Sequence, residues 1–367
     1  MTDPLPLAQA LLACASVTPV DAGAQKTLAA ELERIGFRVT PLRFGEIENL
    51  FAERGDTGPA LCFAGHTDVV PPGDGWRHDP FAGTVENGVL YGRGACDMKG
   101  AIAAFVAAAA DADPKQRLSL LITGDEEGDA VNGTVRVLDW MEAKKKIPEF
   151  CIVGEPTCKV RLGDIVKIGR RGSLNAAITV TGRQGHAAYP QLADNPIHRL
   201  VPALAAMAAH RLDGGNEWFQ PSSLQITSVD VGNPARNVIP ARATAKLNIR
   251  FNDLHNEASL SDWLTETLAM FAPDGDLQIG CSGEAFLTAP GPGMAKITAA
   301  IEQATGVAPK FDTGGGTSDA RFIAKYCPVA EFGLVGATMH QADECVPVEQ
   351  LRVLAQAYGS IIKNFTA

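Results

Sequence analysis

Apolar and polar positions along the chain fall into short runs that switch repeatedly between two periods. Residues 6 to 15 and 24 to 35 place apolar side chains at helical spacing, whereas 37 to 43, 49 to 53 and 60 to 65 read as strands. A Pro/Gly turn at 71 to 75 follows, and Asn87-Gly88 between GTVE and VLYG predicts a tight hairpin. Helix 100 to 111, strand 117 to 123, helix 132 to 144 and strand 150 to 153 then continue an α/β alternation.

After residues 169 to 173 the pattern changes. Strand 174 to 181, helix 194 to 212, strands 223 to 231 and 242 to 251, helix 258 to 271 and strand 277 to 281 give the order βαββαβ of a ferredoxin-like unit. From Phe286 the α/β style returns, with helix 293 to 304, a glycine-rich turn at 314 to 319, strand 328 to 335 and helix 347 to 365. The expected organisation is one α/β catalytic domain in two segments, 1–172 and 284–367, interrupted by an inserted α+β domain at 173–283.

Several of the predicted strands end in metal-type ligands. The run LCFAGHTD (61 to 68) delivers His66 and Asp68, RLSLLIT (117 to 123) delivers Asp125, Glu126 and Glu127, and FCIV (150 to 153) delivers Glu155. Asp97 stands just before the alanine-rich helix, and His340 follows the last strand. In an open α/β sheet the carboxyl ends of the strands form the ligand rim. Two histidines with several carboxylates make a nitrogen and oxygen donor set that suits zinc, and also cobalt or manganese.

Asp97 can bridge two ions about 3.5–4 Å apart, the spacing of two-metal hydrolases. His66 and Glu155 then complete one ion, and Glu127 and His340 the other. Adjacent side chains leave the backbone in different directions. With Glu127 on a metal, Glu126 is therefore free to act as base for an activated water and to return the proton to a leaving nitrogen. Asp68 is expected to accept the second N–H of His66 and fix its tautomer.

Composition narrows the function classes. The chain has 367 residues, 46% hydrophobic and 20% charged, enough for two domains of ordinary globular type. Its net charge of −10 argues against nucleic acid or an anionic membrane as partner. The eight cysteines contain no CxxC pair and several fall in apolar runs, so a reduced, cytoplasmic setting is expected. Leu11-Leu12-Ala13-Cys14 looks like a lipoprotein processing site, but no Lys or Arg precedes it and no signal peptide is expected. No run reaches the roughly 18 apolar residues of a membrane span.

Two other chemistries fit poorly. Gly92-Arg93-Gly94-Ala95-Cys96-Asp97 sits between a strand and a helix like a dinucleotide fingerprint, yet Asp97 would set its charge against the pyrophosphate. There is no G-x-S-x-G elbow for a serine hydrolase.

GHTDVVPPGDGW, GVLYGRGACDMKGA, TGDEEGDAVNGT and VGEPT, in that order, resemble the di-zinc aminoacylase and carboxypeptidase family of metallopeptidases. KIGRRGSL, TGRQGHAAYP, NVIP, LNIRFN, GGGTSDARF and MHQADECVPV extend the likeness over nearly the whole chain, toward a member that hydrolyses an N-acyl amino acid. The resemblance implies a mixed-sheet di-zinc peptidase-like domain holding two divalent ions per subunit, Zn2+ or Co2+. Its ligands would be His66, Asp97 as bridge, Glu127, Glu155 and His340, with Glu126 as acid/base and Asp68 behind His66.

The same resemblance implies a homodimer built through the inserted domain, which also serves as a lid. His186, from GHAAYP, would reach the partner's active site on closure and help to stabilise the oxyanion. A small dicarboxylic amino-acid substrate calls for fixed donors, and the resemblance points to Arg170, Ser173, Tyr189, Asn237, Arg250, Gly316 and Thr317. The competing class is a non-catalytic dimeric binding protein that keeps this fold. Every expected metal and base residue is present, which argues against it.

Overall fold

Strands buried on both faces carry continuous apolar runs, and the runs ending at His66, Thr123 and Val153 become neighbours for that reason. In a computed structural model that describes residues 1–366, they lie within an eight-stranded sheet. Its order is Arg38–Phe44, Ile47–Arg54, Gln116–Thr123, Thr57–His66, Phe150–Val153, Val329–Glu331, Ile165–Lys167 and Lys310–Asp312. The first two strands form an antiparallel hairpin, whereas Thr57–His66 pairs in parallel with both of its neighbours. The sheet is therefore mixed.

Helices Lys99–Asp111 and Val348–Thr366 cover this sheet. The first is buried almost throughout its length, since its alanines let the backbone approach closely. Phe105 stacks on Phe63 at 4.4 Å between ring centroids, and Tyr358 meets Phe63 edge-on at 5.6 Å. Burying a side chain of this size contributes about 1.5–3 kcal/mol. The Tyr358 hydroxyl donates to the Phe332 carbonyl at 2.7 Å, so its polar end is satisfied.

Two glycines at the strand ends make room for the residue after Asp97. A Cβ on Gly65 would lie 2.4 Å from Met98 Cε, and one on Gly154 would lie 2.5 Å from Phe63 Cζ and 2.7 Å from Met98 Cε. Met98 thus fills a slot that only side-chain-free positions on two adjacent strands can provide.

The chain divides into two units, and this sheet belongs to the larger: Met1–Ile168, Thr288–Asp312 and the residues from Ser318 onward. The smaller unit is Gly169–Leu287 with Thr313–Thr317. It is an antiparallel sheet in the order Ser223–Asp230, Arg242–Phe251, Gly172–Thr181 and Asp276–Gly283. Helices Ile197–Ala209 and Glu257–Phe271 share one core with it, built from Leu174, Ile178, Leu204, Ile249 and Leu264 among others. With each helix between a pair of strands, this is the βαββαβ arrangement anticipated from the sequence.

Some boundaries moved. The strand expected over 328–335 is only Val329–Glu331, because the chain then passes against the Gly154–Glu155 backbone. A Cβ on Gly333 would meet Gly154 O at 2.4 Å. The short strands Ile165–Lys167 and Lys310–Asp312 carry no period long enough to be seen in sequence. Thr313–Thr317, expected in the second catalytic segment, packs with the smaller unit. There Arg170 Nη1 donates to Gly316 O at 2.8 Å and Thr313 Oγ1 to Trp218 O at 2.5 Å.

Candidate metal centre

Parallel pairing brings three strand ends onto one edge of the larger sheet. His66 ends its strand, Glu126 and Glu127 follow Thr123 closely, and Glu155 follows Val153. Asp97 comes to the same place from the turn before helix Lys99–Asp111, and His340 from the loop after Leu334. All six side chains belong to the larger unit.

Asp97 stands in the middle. Its Oδ1 lies 3.2 Å from His66 Nε2, and its Oδ2 lies 3.4 Å from His340 Nε2. Beyond these, Glu155 Oε1 is 3.7 Å from His66 Nε2, and Glu127 Oε1 is 2.9 Å from His340 Nε2. The pairs expected from the sequence, His66 with Glu155 and His340 with Glu127, thus flank one carboxylate.

The tautomer of His66 follows from its other nitrogen. Nδ1 lies 2.9 Å from the Asp68 carbonyl oxygen, an acceptor only, so Nδ1 carries the proton and Nε2 is turned to the carboxylates. Asp68 is the residue expected from the sequence, but its carbonyl makes the contact, its carboxylate being 3.6 Å away. That carboxylate has other donors: the backbone N–H of Glu126 at 3.3 Å and of Glu127 at 3.0 Å, and Thr18 Oγ1 at 2.8 Å. The preference for the carbonyl has a simple cause. His66 and Asp68 are two residues apart in one chain, and the intervening turn brings the carbonyl closer than the side chain.

The electrostatics are those of crowded carboxylates. Burial by itself lowers the basicity of His66. The hydrogen bond to Asp97 and the charges of Asp68, Asp97 and Glu126 more than offset this and hold the imidazole well above its ordinary value. Hydrogen bonds to Asp97 and Glu127 raise His340 to about 10. Burial, followed by the charges of Asp319, Glu127 and Asp97, pushes Glu126 up to about 8. Burial, followed by the charges of Asp97 and Glu126, pushes Glu155 well above the carboxylate range. Asp97 falls below it, because its bonds to the two histidines outweigh its burial.

A divalent cation fits this donor set. The donor atoms of His66, Asp97 and Glu127 lie within 4.8 Å of one another, as do those of His66, Glu126 and Glu155. Glu155 Oε1 is buried without a hydrogen-bond partner, an acceptor left open beside His66. Glu126 was expected to stand off the metals as a base, but it also comes within donor range of Glu155. A cavity of about 600 Å³ opens beside Glu127, lined also by Thr18, Pro71, Gly128 and Asn132.

The other sequence candidates lie in the smaller unit. Ser173 and Arg250 are opposite each other in the ladder, and Arg170 is bonded to Gly316. His186 and Tyr189 are exposed with ring centroids 5.6 Å apart, and the Asn237 carbonyl accepts Ala187 N–H nearby. Thr317 lies in the turn beside Gly316 and is half-buried.

Three charged residues near the centre escaped sequence reasoning. Asp319 is buried, raised to about 6 chiefly by that burial, and contributes to the rise at Glu126. Arg93 and Glu344 form a buried pair beside Asp97. Their motifs, GGGTSD and GRGACD…QADEC, could be seen, but their burial could not.

Comparison with known proteins places the chain among relatives. Relatives named succinyl-diaminopimelate desuccinylase include one from Acidiphilium cryptum, 63% identical over 98% of both chains. Another, from Granulibacter bethesdensis, is 61% identical over 99% of this chain and 98% of its own. Among solved structures, aminopeptidase PepT from Bacillus cereus superposes with a TM-score of 0.81 at 19% identity, over 99% of this chain and 98% of its own. The Bacillus subtilis YXEP protein, described as a dinuclear metal-binding peptidase, gives 0.72 at 16% identity over 99% and 98%. Since the model of peptidase family M20/M25/M40 also matches residues 62–364, the chain belongs to that family.

Proposed function

We propose that this chain is a dinuclear metal-dependent amide hydrolase that converts N-succinyl-LL-2,6-diaminopimelate and water to succinate and LL-2,6-diaminopimelate. The product feeds lysine and cell-wall synthesis. The placement of one Asp97 oxygen toward each histidine carries the chemical part of the reading. The full-length likeness to desuccinylases carries the choice of substrate.

His66, Asp97 and Glu155 would hold one cation, and Asp97, Glu127 and His340 the other. When bound, such ions supply Lewis acidity at the amide carbonyl and make water acidic enough to lose a proton near neutral pH. Zinc is the first choice from the donor set, with cobalt able to replace it. Glu126 takes the proton from the attacking water and delivers it to the departing nitrogen as the amide C–N bond breaks. Asp68 holds the backbone of Glu126 and Glu127 through its carboxylate and orients His66 through its carbonyl.

Arg170, Ser173, Tyr189, Asn237, Arg250, Gly316 and Thr317 are assigned to the substrate's carboxylates, and His186 to the oxyanion of a partner subunit. The smaller unit is assigned the dimer contact. Its Ser223–Asp230 strand lies at a sheet edge with Val229 exposed, the kind of edge another chain can cover. A cytoplasmic location is consistent with eight free cysteines, and no helix among the described residues is long and apolar enough to cross a membrane.

The test compares acyl groups. Purified protein should release succinate from the N-succinyl substrate far faster than acetate from N-acetylornithine. The reverse preference would reassign it as an acetyl amino-acid deacylase, and no hydrolysis of either would favour a binding protein.

A further inference from the structure

Arg93 and Glu344 are 1% and 0% exposed, and Arg93 Nη1 donates to Glu344 Oε2 at 2.7 Å. A buried ion pair bears a desolvation cost and is weak evidence for stability alone, so its remaining bonds indicate its role better. Glu344 Oε1 accepts the backbone N–H of Cys96 at 3.0 Å and of Asp97 at 3.2 Å, while Oε2 accepts that of Gly94 at 3.1 Å. Arg93 donates from Nη1 to Gln341 O at 3.3 Å, and from Nη2 to Pro72 O at 3.1 Å and His340 O at 3.4 Å. Its guanidinium lies over the Trp76 ring at 5.2 Å, and Trp76 Nε1 also donates to Pro72 O.

One ion pair is therefore bonded to the backbone of Asp97 and of His340, and to the loop that follows His66 and Asp68. His340 needs such support. Its φ of +63° and that of Asp343, +55°, lie in the left-handed region, which a non-glycine residue keeps only when its surroundings hold it there. No ladder hydrogen bond fixes this loop at His340; turn bonds such as Gln341 N–H to Thr338 O hold its neighbours, and the Arg93 bonds tie the His340 carbonyl to the loop after Asp68.

We infer that Arg93 and Glu344 form a positioning unit that sets Asp97 and His340 against Glu127, so that these three side chains converge on one cation. The inference rests on the dinuclear reading above. Neither Arg93 nor Glu344 is a ligand: each acts through backbone atoms of the residues that are. Loss of the pair should therefore weaken the cation site of Glu127 and His340 most, since both Asp97 and His340 lose support there, and the site of His66 and Glu155, which shares only Asp97, less.

The chain, stripped of metal, is titrated with Co2+ and followed by visible absorption and calorimetry, for wild type, Glu344→Gln, Arg93→Lys and Leu32→Ala, a truncation at a fully buried leucine of helix Ala24–Arg34. Wild type should take two ions. Both positioning variants should bind the ion of Glu127 and His340 about 10–100-fold more weakly, the usual cost of losing a group behind a ligand, and the ion of His66 and Glu155 with a smaller loss. Their turnover should return with excess Co2+ at a nearly unchanged KM. Leu32→Ala should lower Tm but bind both ions normally, which separates positioning from loss of stability.

Unchanged affinities in a folded Glu344→Gln and Arg93→Lys would overturn the inference, as would an equal loss in Leu32→Ala. Arg93→Lys keeps the buried charge, and it carries the test by itself if Glu344→Gln does not fold. A wild-type chain that bound no Co2+ would overturn the dinuclear reading, and this inference with it.

Discussion

His66 and His340, far apart in the sequence, present their Nε2 atoms to opposite oxygens of the Asp97 carboxylate, at 3.2 and 3.4 Å. The three parallel strands fix the His66 side of this arrangement. The His340 side depends on a loop. The consequences for metal, proton and backbone can each be measured.

Asp97→Asn should remove the shared bridge, because an amide offers one oxygen and no charge. Metal content is expected to fall from two ions to one or none per chain, and kcat by at least about 10²–10³. Elemental analysis with far-UV circular dichroism would check this. Two ions retained at full turnover would show that Asp97 is no bridge.

Glu126→Gln should keep both metals and lose the proton carrier. General acid and base catalysis contributes about 10²–10⁴-fold, so kcat should fall by that factor with little change in KM. Steady-state kinetics on metal-replete protein is the check, and a variant with wild-type kcat would remove Glu126 from its assigned role.

The pH dependence of the metal-free protein should run against that of most globular proteins. His340 rises on folding from 6.5 to about 10. Its stabilisation is full below the unfolded value and is lost as pH climbs through about 10. Glu126, raised from 4.5 to about 8, acts with the same sign in a lower window: the unfolded carboxyl ionises from about 4.5 while the buried one resists until about 8. The Tm of stripped protein should therefore fall between about pH 4.5 and 10, most steeply between 6.5 and 8 where the two windows overlap. Metal binding at pH 7 should release protons and tighten as pH rises. Calorimetry in buffers of different ionisation enthalpy counts those protons, and a count of zero would contradict the protonated state of the two histidines.

Asp68→Asn should separate the two jobs of this residue. The contact to His66 Nδ1 comes from a backbone carbonyl and survives the change. The carboxylate that accepts two N–H groups from Glu126 and Glu127 becomes an amide. Binding of the cation held by Glu127 should weaken by about 10–100-fold while the other is retained. Equal loss of both ions would mean that His66 does depend on the Asp68 side chain.

Much of the centre was legible because strands announce themselves by apolar runs and a parallel sheet aligns their carboxyl ends. His66, Glu127 and Glu155 needed only that rule. What remained hidden depended on turn geometry and on burial. The carbonyl of Asp68, rather than its carboxylate, meets His66, because a two-residue separation favours the backbone. Arg93 and Glu344 look like ordinary surface charges in a linear sequence, and only folding closes them onto each other. Val329–Glu331 is shorter than its apolar run because Gly333 must pass close to Gly154, a contact no local pattern records.

The most direct measurement is succinate release by purified protein before chelation, after complete removal of metal, and after readdition of Zn2+ or Co2+, with metal counted at each stage. Activity is expected to vanish with the ions and to return as occupancy approaches two per chain. Full hydrolysis by the metal-free protein would contradict the account.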